Sequence, residues 1–179
     1  MAKVERTMSS NKIFDGKALK LRVDTVEMDG QKYTKREIVE RDSSVCIVAI
    51  TDEDEIILVK QFRKPADKEL VEIPAGMIDF EEEPIKAAIR ELEEETGYKT
   101  NNCEYILEMY STPGFCDEKI YIFFADELVE GKQNLDEFED ISFEKVKFDK
   151  ALKMIERGEI IDAKSITGIL LYNQLRRNK

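Results

Sequence analysis

The first part of the chain alternates apolar and polar residues in a way that predicts β-strands. From Leu19 to Val23 every second residue is apolar, which is the period of a strand with one buried face. Asp29 and Gly30 follow as a dipeptide that is typical of tight hairpin turns. The pattern therefore predicts a small antiparallel β segment over residues 17–41.

Continuous apolar runs come after this segment. The run SVCIVAI is separated from IILVKQFR by the polar stretch TDEDE, and uninterrupted β-branched runs are typical of strands that are buried on both faces. We expect these two strands to form a second hairpin. The stretch KELVEIPAG predicts a further short strand that ends at Pro74 and Gly76.

A helix is predicted between Pro84 and Gly97. Proline suits the first turn of a helix because its missing N–H would have no partner there, and glycine suits the residue that ends one. The apolar residues predicted to form the buried stripe are Ile85, Ala88, Ile89 and Leu92. We expect the glutamates Glu91, Glu94 and Glu95 to lie on the opposite face of this helix.

The second half of the chain continues with strands and then helices. YILEMY and KIYIFFA predict two strands joined by the loop STPGFCDE, and ISFEKVKF predicts another strand after the acidic stretch NLDEFED. Two helices are predicted next, one ending at Gly158 and the other carrying Ile166, Ile169, Leu170 and Asn173 at helical spacing. Strands mixed with helices and hairpins favour an α/β domain with a mixed sheet.

Composition and charge narrow the classes of partner. The 179 residues carry a formal net charge of −11 and no dense cluster of Lys and Arg, which argues against a nucleic-acid binder. The N-terminal residues lack the apolar core of a signal peptide, and no apolar run is long enough to cross a bilayer. We therefore expect a cytoplasmic protein with no nucleic-acid partner and no membrane association.

The absence of histidine and the scatter of the cysteines narrow the chemistry. A chain without histidine cannot build a Ser-His-Asp triad, a Cys-His pair or a histidine-ligated metal site. Cys46, Cys103 and Cys116 form no CxxC pair, which argues against a zinc site and against a disulfide framework. Acid–base chemistry at neutral pH is left to carboxylates, Lys, Tyr, Cys or metal-bound water.

Three glutamates crowd one part of the predicted helix. Glu91, Glu94 and Glu95 are spaced i, i+3 and i+4, and such like-charge pairs destabilise a helix by about 0.2–0.5 kcal/mol each. Arg90 alone cannot balance them, whereas Mg²⁺ prefers carboxylate oxygens together with substrate phosphates. The pattern suggests a Mg²⁺ site for a phosphate-containing ligand, with a solvated acidic face as the alternative.

The residues around these glutamates form a specific motif. Gly76 is followed after five residues by Glu82, and after seven more by RELEEETGY, from Arg90 to Tyr98. This stretch resembles the Nudix box, G-x5-E-x7-R-E-U-x-E-E-x-G-U, in which U is a bulky apolar residue. Tyr98 replaces the more usual Ile, Leu or Val. The resemblance implies a Nudix hydrolase, with an α/β/α sandwich around a mixed sheet, that cleaves a nucleoside diphosphate linked to another moiety.

The resemblance also assigns roles to residues. It implies that Glu91 and Glu95 bind Mg²⁺, with Mn²⁺ as an alternative ion, and that the carbonyl of Ala75 is a further ligand. Glu94 and Arg90 belong to the catalytic group, Glu94 close to the metal and Arg90 in a salt bridge with Glu82 that shapes the loop and helix. The number of metal ions stays open.

Other stretches resemble the ADP-ribose pyrophosphatases of this family. Pro113, sixteen residues after the last box glycine and followed by Gly114, is expected to contact substrate. Arg63 of the QFR stretch is expected to do the same, with a surface salt bridge as the alternative. The late acidic loop implies Glu137 as the general base and Glu139 as a metal ligand, although which glutamate is the base stays open.

This resemblance predicts hydrolysis of ADP-ribose, a small-molecule nucleotide sugar, to AMP and ribose 5-phosphate. Three alternatives remain: a substrate such as GDP-mannose, a non-catalytic module that senses a nucleotide, and a purely structural acidic helix. The resemblance further implies a homodimer built by an N-terminal β segment, residues 1–41, followed by a hydrolase domain, residues 42–179. Such a small sheet is not stable alone and needs packing against another surface, which a partner subunit would supply.

Overall fold

The computed structural model describes residues 4–29 and 31–177 and divides the chain into two compact units. One unit is Met1–Ser43 together with Tyr110–Lys119. The other is Ser44–Met109 together with Ile120–Lys179, and it contains the predicted glutamate helix.

The first unit is built on a three-stranded antiparallel sheet in the order β1 (Arg6–Asp15), β2 (Lys20–Met28) and β3 (Lys32–Glu40). The predicted hairpin of β2 and β3 is confirmed, while Gly30 of its turn lies outside the described residues. The pattern did not predict β1, because its sequence RTMSSNKIFD is exposed along all ten residues and so has no apolar alternation to detect.

The remaining elements alternate strands with helices. The strands are β4 (Ser44–Ala49), β5 (Glu55–Arg63), β6 (Lys68–Glu72), β7 (Ala75–Met77), β8 (Tyr98–Tyr110), β9 (Lys119–Glu130) and β10 (Ile141–Lys147). The helices are α1 (Pro84–Thr96), α2 (Phe148–Glu156) and α3 (Ala163–Arg176), with a 3-10 turn at Lys64–Ala66. One sheet has the order β7-β4-β9-β8 and the other the order β10-β5-β6. The first is mixed, because β4 is parallel to β9 and antiparallel to β7.

Helices cover both faces of the central strand β4, which confirms the α/β/α sandwich. Alternate residues of a strand point to opposite faces, and β4 supplies one hydrophobic cluster on each side. On one side its partners in α1 are Ala87, Ala88 and Leu92. On the other side its partners in α2 and α3 are Phe148, Ala151, Met154 and Ile169. Gly168 lets α3 approach closely, since a Cβ there would lie 2.9 Å from Cγ2 of Val48.

The predicted hairpin of β4 and β5 is wrong. The turn between them forms, with the N–H of Thr51 donating to the carbonyl of Glu55, but only a single bridge joins Ile50 to Ile56. The strands belong to different sheets because the edges of β4 are taken by β7 and β9, and those of β5 by β10 and β6. The single strand predicted from KELVEIPAG is likewise two strands, β6 and β7, one in each sheet.

The predicted ends of α1 are confirmed, and its predicted buried face is confirmed in part, because Ala88 and Leu92 are buried. Pro84 is the first residue of α1, and Gly97 ends it with φ 77° and an N–H that donates to the carbonyl of Glu93. Ile85 is 39% exposed. The face that packs on the sheet carries Ala87, Ala88, Leu92, Glu95 and Thr96. Two alanines permit close packing against the strands, so α1 is rotated and Glu95 turns inward rather than toward solvent.

The last helix differs from its predicted pattern in a similar way. Ser165, Gly168 and Ile169 are the buried residues of α3, whereas Leu170 is exposed. Small residues again face the sheet, because they allow the helix backbone to approach it. None of the described helices is long and apolar enough to cross a membrane.

Candidate active site

The site begins where β7 passes beside α1. Gly76 of β7 pairs with Val45 of β4, and the carboxylate of Glu91 lies directly against its Cα. A Cβ at Gly76 would lie 2.0 Å from Cδ of Glu91, which is far inside van der Waals contact. Glycine is therefore needed at position 76 because the carboxylate of Glu91 approaches the backbone there. The requirement is for space, and not for the wider range of φ that glycine allows.

Arg90 holds the loop before α1 and two of the glutamates together. Its Nε and Nη2 donate to the two carboxylate oxygens of Glu82 at 3.0 and 2.9 Å, and Nη2 also donates to the carbonyl of Met77. Its Nη1 donates to Glu91 at 2.8 Å and to Glu94 at 2.9 Å. The hydrogen bonds to Glu82 raise the pKa of Arg90 most strongly. The expected salt bridge between Arg90 and Glu82 is present.

Glu95 is the most buried carboxylate of the group. Only 4% of the residue is exposed, and its Oε2 accepts a hydrogen bond of 2.9 Å from the N–H of Ala75. Burial raises the pKa of Glu95 to about 8, and burial likewise raises the pKa of Glu91 to about 7 even though Arg90 opposes it. Within the described chain no Lys or Arg forms a salt bridge with Glu95. Glu91 and Glu95 are thus adjacent carboxylates in a buried environment, and burial disfavours their ionised form.

The loop between β9 and β10 is tied to the end of α1. Nε2 of Gln133 donates to the carbonyl of Glu95 at 2.6 Å and to that of Ile141, at the far end of the loop, at 2.8 Å. The charge of Glu139 adds to the rise in the pKa of Glu95, which places Glu139 close to the carboxylates. Glu137 lies exposed in a turn of the same loop. Gln133 escaped the sequence analysis because one amide in a polar loop has no pattern.

A buried charge network lies beside the carboxylates. Nε and Nη2 of Arg63 donate to both oxygens of Glu72 at 2.8 and 2.7 Å, and Nζ of Lys164 donates to Glu72 at 2.5 Å. Asp162 accepts from Lys164 at 3.0 Å and caps α3 by accepting from the N–H of Ser165. The only sequence signal for Glu72 was a charged residue within the apolar stretch LVEIP, and Lys164 had none. Substrate contact by Arg63 stays a prediction.

Pro113 and Gly114 belong to the first unit. They are exposed and lie in a turn closed by the N–H of Cys116, which donates to the carbonyl of Thr112. A side chain at Gly114 would meet no atom within 4 Å. Their contact with substrate stays a prediction.

The donor atoms around Glu91 and Glu95 fit a hard divalent cation. Mg²⁺ and Mn²⁺ prefer oxygen ligands, and a cation would relieve the cost of two adjacent buried carboxylates. Among residues 4–29 and 31–177, no three His, Cys, Asp or Glu side chains already converge as a metal-binding cluster. Arg90 draws Glu91 and Glu94 toward itself.

Comparison with known proteins agrees with this geometry. The ADP-ribose pyrophosphatase of Bacillus subtilis strain 168 is 45% identical to this chain over 174 residues, which cover 96% of this chain and 94% of that protein. The methanol dehydrogenase activator of Bacillus methanolicus is 40% identical over the same number of residues, with the same coverage. The GDP-mannose pyrophosphatase of Cronobacter sakazakii is 32% identical over 164 residues, which cover 86% of this chain and 85% of that protein.

A solved structure and a family match complete the comparison. The crystal structure of an ADP compounds hydrolase superposes with a TM-score of 0.88 at 20% identity, covering 97% of this chain and 95% of that one, so the fold is shared. The NUDIX domain family matches residues 40–167, which include the whole stretch from Gly76 to Tyr98. The chain therefore belongs to the Nudix family.

Proposed function

We propose that this protein hydrolyses the pyrophosphate of ADP-ribose with the help of Mg²⁺, giving AMP and ribose 5-phosphate. The observation that carries the proposal is the pair of adjacent buried carboxylates, Glu91 and Glu95, packed against Gly76 and Ala75 in the segment that the family match covers. The similarity to a protein named ADP-ribose pyrophosphatase supports this choice of substrate.

The residues proposed to hold the cation are Glu91, Glu95, Glu139 and the carbonyl of Ala75, with Mn²⁺ as an alternative to Mg²⁺. When bound, such an ion supplies charge neutralisation on the phosphates and acidifies water for attack. A protein with a net charge of −11 would otherwise repel a diphosphate.

The remaining residues bind the substrate and move the proton. Glu137 is proposed to accept the proton of the attacking water, whose oxygen bonds to one phosphorus while the bridging oxygen leaves with the other phosphate. Arg63 is proposed to donate charge-assisted hydrogen bonds to the phosphates. Arg90 keeps Glu91 and Glu94 in place through the hydrogen bonds described above. Pro113 and Gly114 are proposed to line the substrate site.

Product analysis tests the proposal. Wild-type protein incubated with ADP-ribose and Mg²⁺ should yield AMP and ribose 5-phosphate in equal amounts, and a chelator should stop the reaction. Glu95→Gln should fold, and its rate of hydrolysis should fall by more than about 100-fold. Changing a residue that only supports a metal ligand typically costs about 10- to 100-fold, so the larger loss would indicate a direct ligand. Glu93→Gln is the matched control on the same helix. The side chain of Glu93 is 39% exposed and pairs with Lys99, so this variant removes a carboxylate that is not among the proposed metal ligands. A folded Glu95→Gln protein with the wild-type rate would refute the metal assignment.

Other substrates and a sensing role are separated by the same assay. GDP-mannose should be cleaved with a lower kcat/KM than ADP-ribose, and the reverse order would make GDP-mannose the substrate. Binding of ADP-ribose without products would instead favour a nucleotide sensor. One relative is named methanol dehydrogenase activator, which suggests a further assay. In this assay the protein is mixed with an alcohol dehydrogenase and the rate of alcohol oxidation is followed.

We also propose that residues 1–41 form a dimerisation segment and residues 42–179 the hydrolase domain. The support is the sheet of the first unit, in which every residue of β1 is exposed, including the apolar side chains of Met8, Ile13 and Phe14. A second copy of the chain would cover this apolar surface. Light scattering should give twice the monomer mass, and Ile13→Asp should reduce it; a monomeric wild type would refute the proposal.

We infer a reducing, cytoplasmic location for the protein. The support is that Cys46, Cys103 and Cys116 are all free thiols, as is usual in that compartment. Cell fractionation should recover the protein with cytoplasmic markers, and recovery with secreted or membrane fractions would contradict the inference.

A further inference from the structure

We propose that Glu72 is a positioning residue, which fixes the guanidinium of Arg63 by one edge so that the Nη1 donors stay available for a substrate phosphate. The inference rests on the proposed function, because it takes Arg63 to be the cation that meets the phosphates. It adds a residue whose task is to orient Arg63 rather than to touch substrate, and it adds Lys164 as the support of that residue.

The geometry of the pair is the first argument. Both oxygens of Glu72 accept from Arg63, at 2.8 Å from Nε and 2.7 Å from Nη2, which is the two-pronged arrangement that fixes the plane of a guanidinium. Nη1 has no hydrogen-bond partner among residues 4–29 and 31–177. Glu72 is only 1% exposed, whereas the side chain of Arg63 is 39% exposed. The guanidinium of Arg63 is thus anchored by the edge that carries Nε and Nη2, and Nη1 remains open.

The position of Arg63 is the second argument. It is the last residue of β5, and besides the hydrogen bonds of Glu72, which act most strongly, the charge of Glu95 raises its pKa. Arg63 therefore lies near enough to the carboxylates of α1 for their charges to interact. A donor fixed there is in the region where phosphates would meet the proposed cation.

Lys164 explains how Glu72 can hold Arg63 without cancelling its charge. Nζ of Lys164, 13% exposed, donates to Oε2 of Glu72 from the first turn of α3. A carboxylate as buried as Glu72 needs a partner to remain ionised, and Lys164 supplies one from the side of α3. The negative charge of Glu72 is therefore shared between two cations, which leaves part of the positive charge of Arg63 for another anion.

A purely structural role for Arg63 is the competing explanation. The join between β6 and α3 is already made without it, because Oγ of Ser165 accepts from the N–H of Ile73 and donates to Asp162. Lys164 also bridges Glu72 and Asp162. Arg63, on β5, takes no part in these contacts between β6 and α3.

A double-mutant cycle tests the proposal. We expect Arg63→Ala and Glu72→Gln each to lower kcat/KM for ADP-ribose by roughly 10- to 100-fold, the usual effect of losing hydrogen bonds to a charged group. The double variant should be no worse than Arg63→Ala, because the effect of Glu72 passes through Arg63. If the fold-losses of the two single variants instead multiply in the double variant, the proposal is overturned. Glu144→Gln is the matched control. It removes the ion-pair partner of Lys60, which lies on the same strand as Arg63, and it should leave kcat/KM unchanged.

A second measurement keeps the test valid if Glu72→Gln fails to fold. In Arg63→Ala, where Glu72 is intact, guanidinium ion at millimolar concentration should restore activity in a saturable way. Methylammonium at the same ionic strength should not, because only a planar fork matches both carboxylate oxygens. Equal effects of the two ions, or none from either, would overturn the proposal. A wild type that leaves ADP-ribose intact would instead defeat the proposed function.

Discussion

Burial of Glu95 predicts that the protein in the presence of a chelator loses stability as the pH rises. The pKa of Glu95 rises from 4.5 to about 8 on folding, with burial as the main cause. Between these two values the folded protein keeps a proton that the unfolded chain has released. Stability therefore falls as pH rises, by about 1.4 kcal/mol for each pH unit and on the order of 5 kcal/mol over the whole interval.

Urea unfolding in a chelator, between about pH 5.5 and about pH 7.5, measures this effect as the slope of stability against pH. Glu95→Gln keeps the shape of the side chain and removes its charge, so its slope should be shallower than that of the wild type by about 1 kcal/mol per pH unit. Glu93→Gln should keep the wild-type slope. Mg²⁺ should flatten the wild-type slope but leave that of Glu95→Gln nearly unchanged. Equal slopes for the wild type and Glu95→Gln would show that buried charge at this position is not the cause.

Three further changes test the geometry. Gly76→Ala would place a Cβ 2.0 Å from Cδ of Glu91, so hydrolysis of ADP-ribose should slow by roughly 100-fold through displacement of that carboxylate; an unchanged kcat would contradict the close approach. Gly97→Ala should lower the free energy of unfolding in urea by about 1–2 kcal/mol, since φ is 77° and the new Cβ would lie 2.7 Å from the N of Gln133; no change would mean that the backbone relaxes there. Asp162→Ala removes the cap of α3 and should lower the melting temperature, with a loss of about 1–2 kcal/mol, and an unaltered melting temperature would argue against the cap.

The sequence by itself determined the features that depend on neighbouring residues. The limits of α1 follow from Pro84, which lacks an N–H, and from Gly97, which accepts a positive φ. The hairpin of β2 and β3 follows from alternation and a turn dipeptide. The spacing from Gly76 to Tyr98 pointed to the carboxylates that the structure gathers beside β7. Each of these signals lies within one continuous stretch of the chain, so no knowledge of the rest of the fold is needed.

Only the tertiary structure decided which faces and edges meet. Two apolar strands joined by a turn look like a hairpin, yet β4 and β5 entered different sheets because other strands occupied their edges. The rotation of α1, which buried Glu95 and exposed Ile85, depends on how closely two alanines approach the sheet. The network of Arg63, Glu72 and Lys164 joins residues up to 101 positions apart in the sequence. Burial and charge compensation arise from contacts between distant segments, so no local pattern of residues contains them.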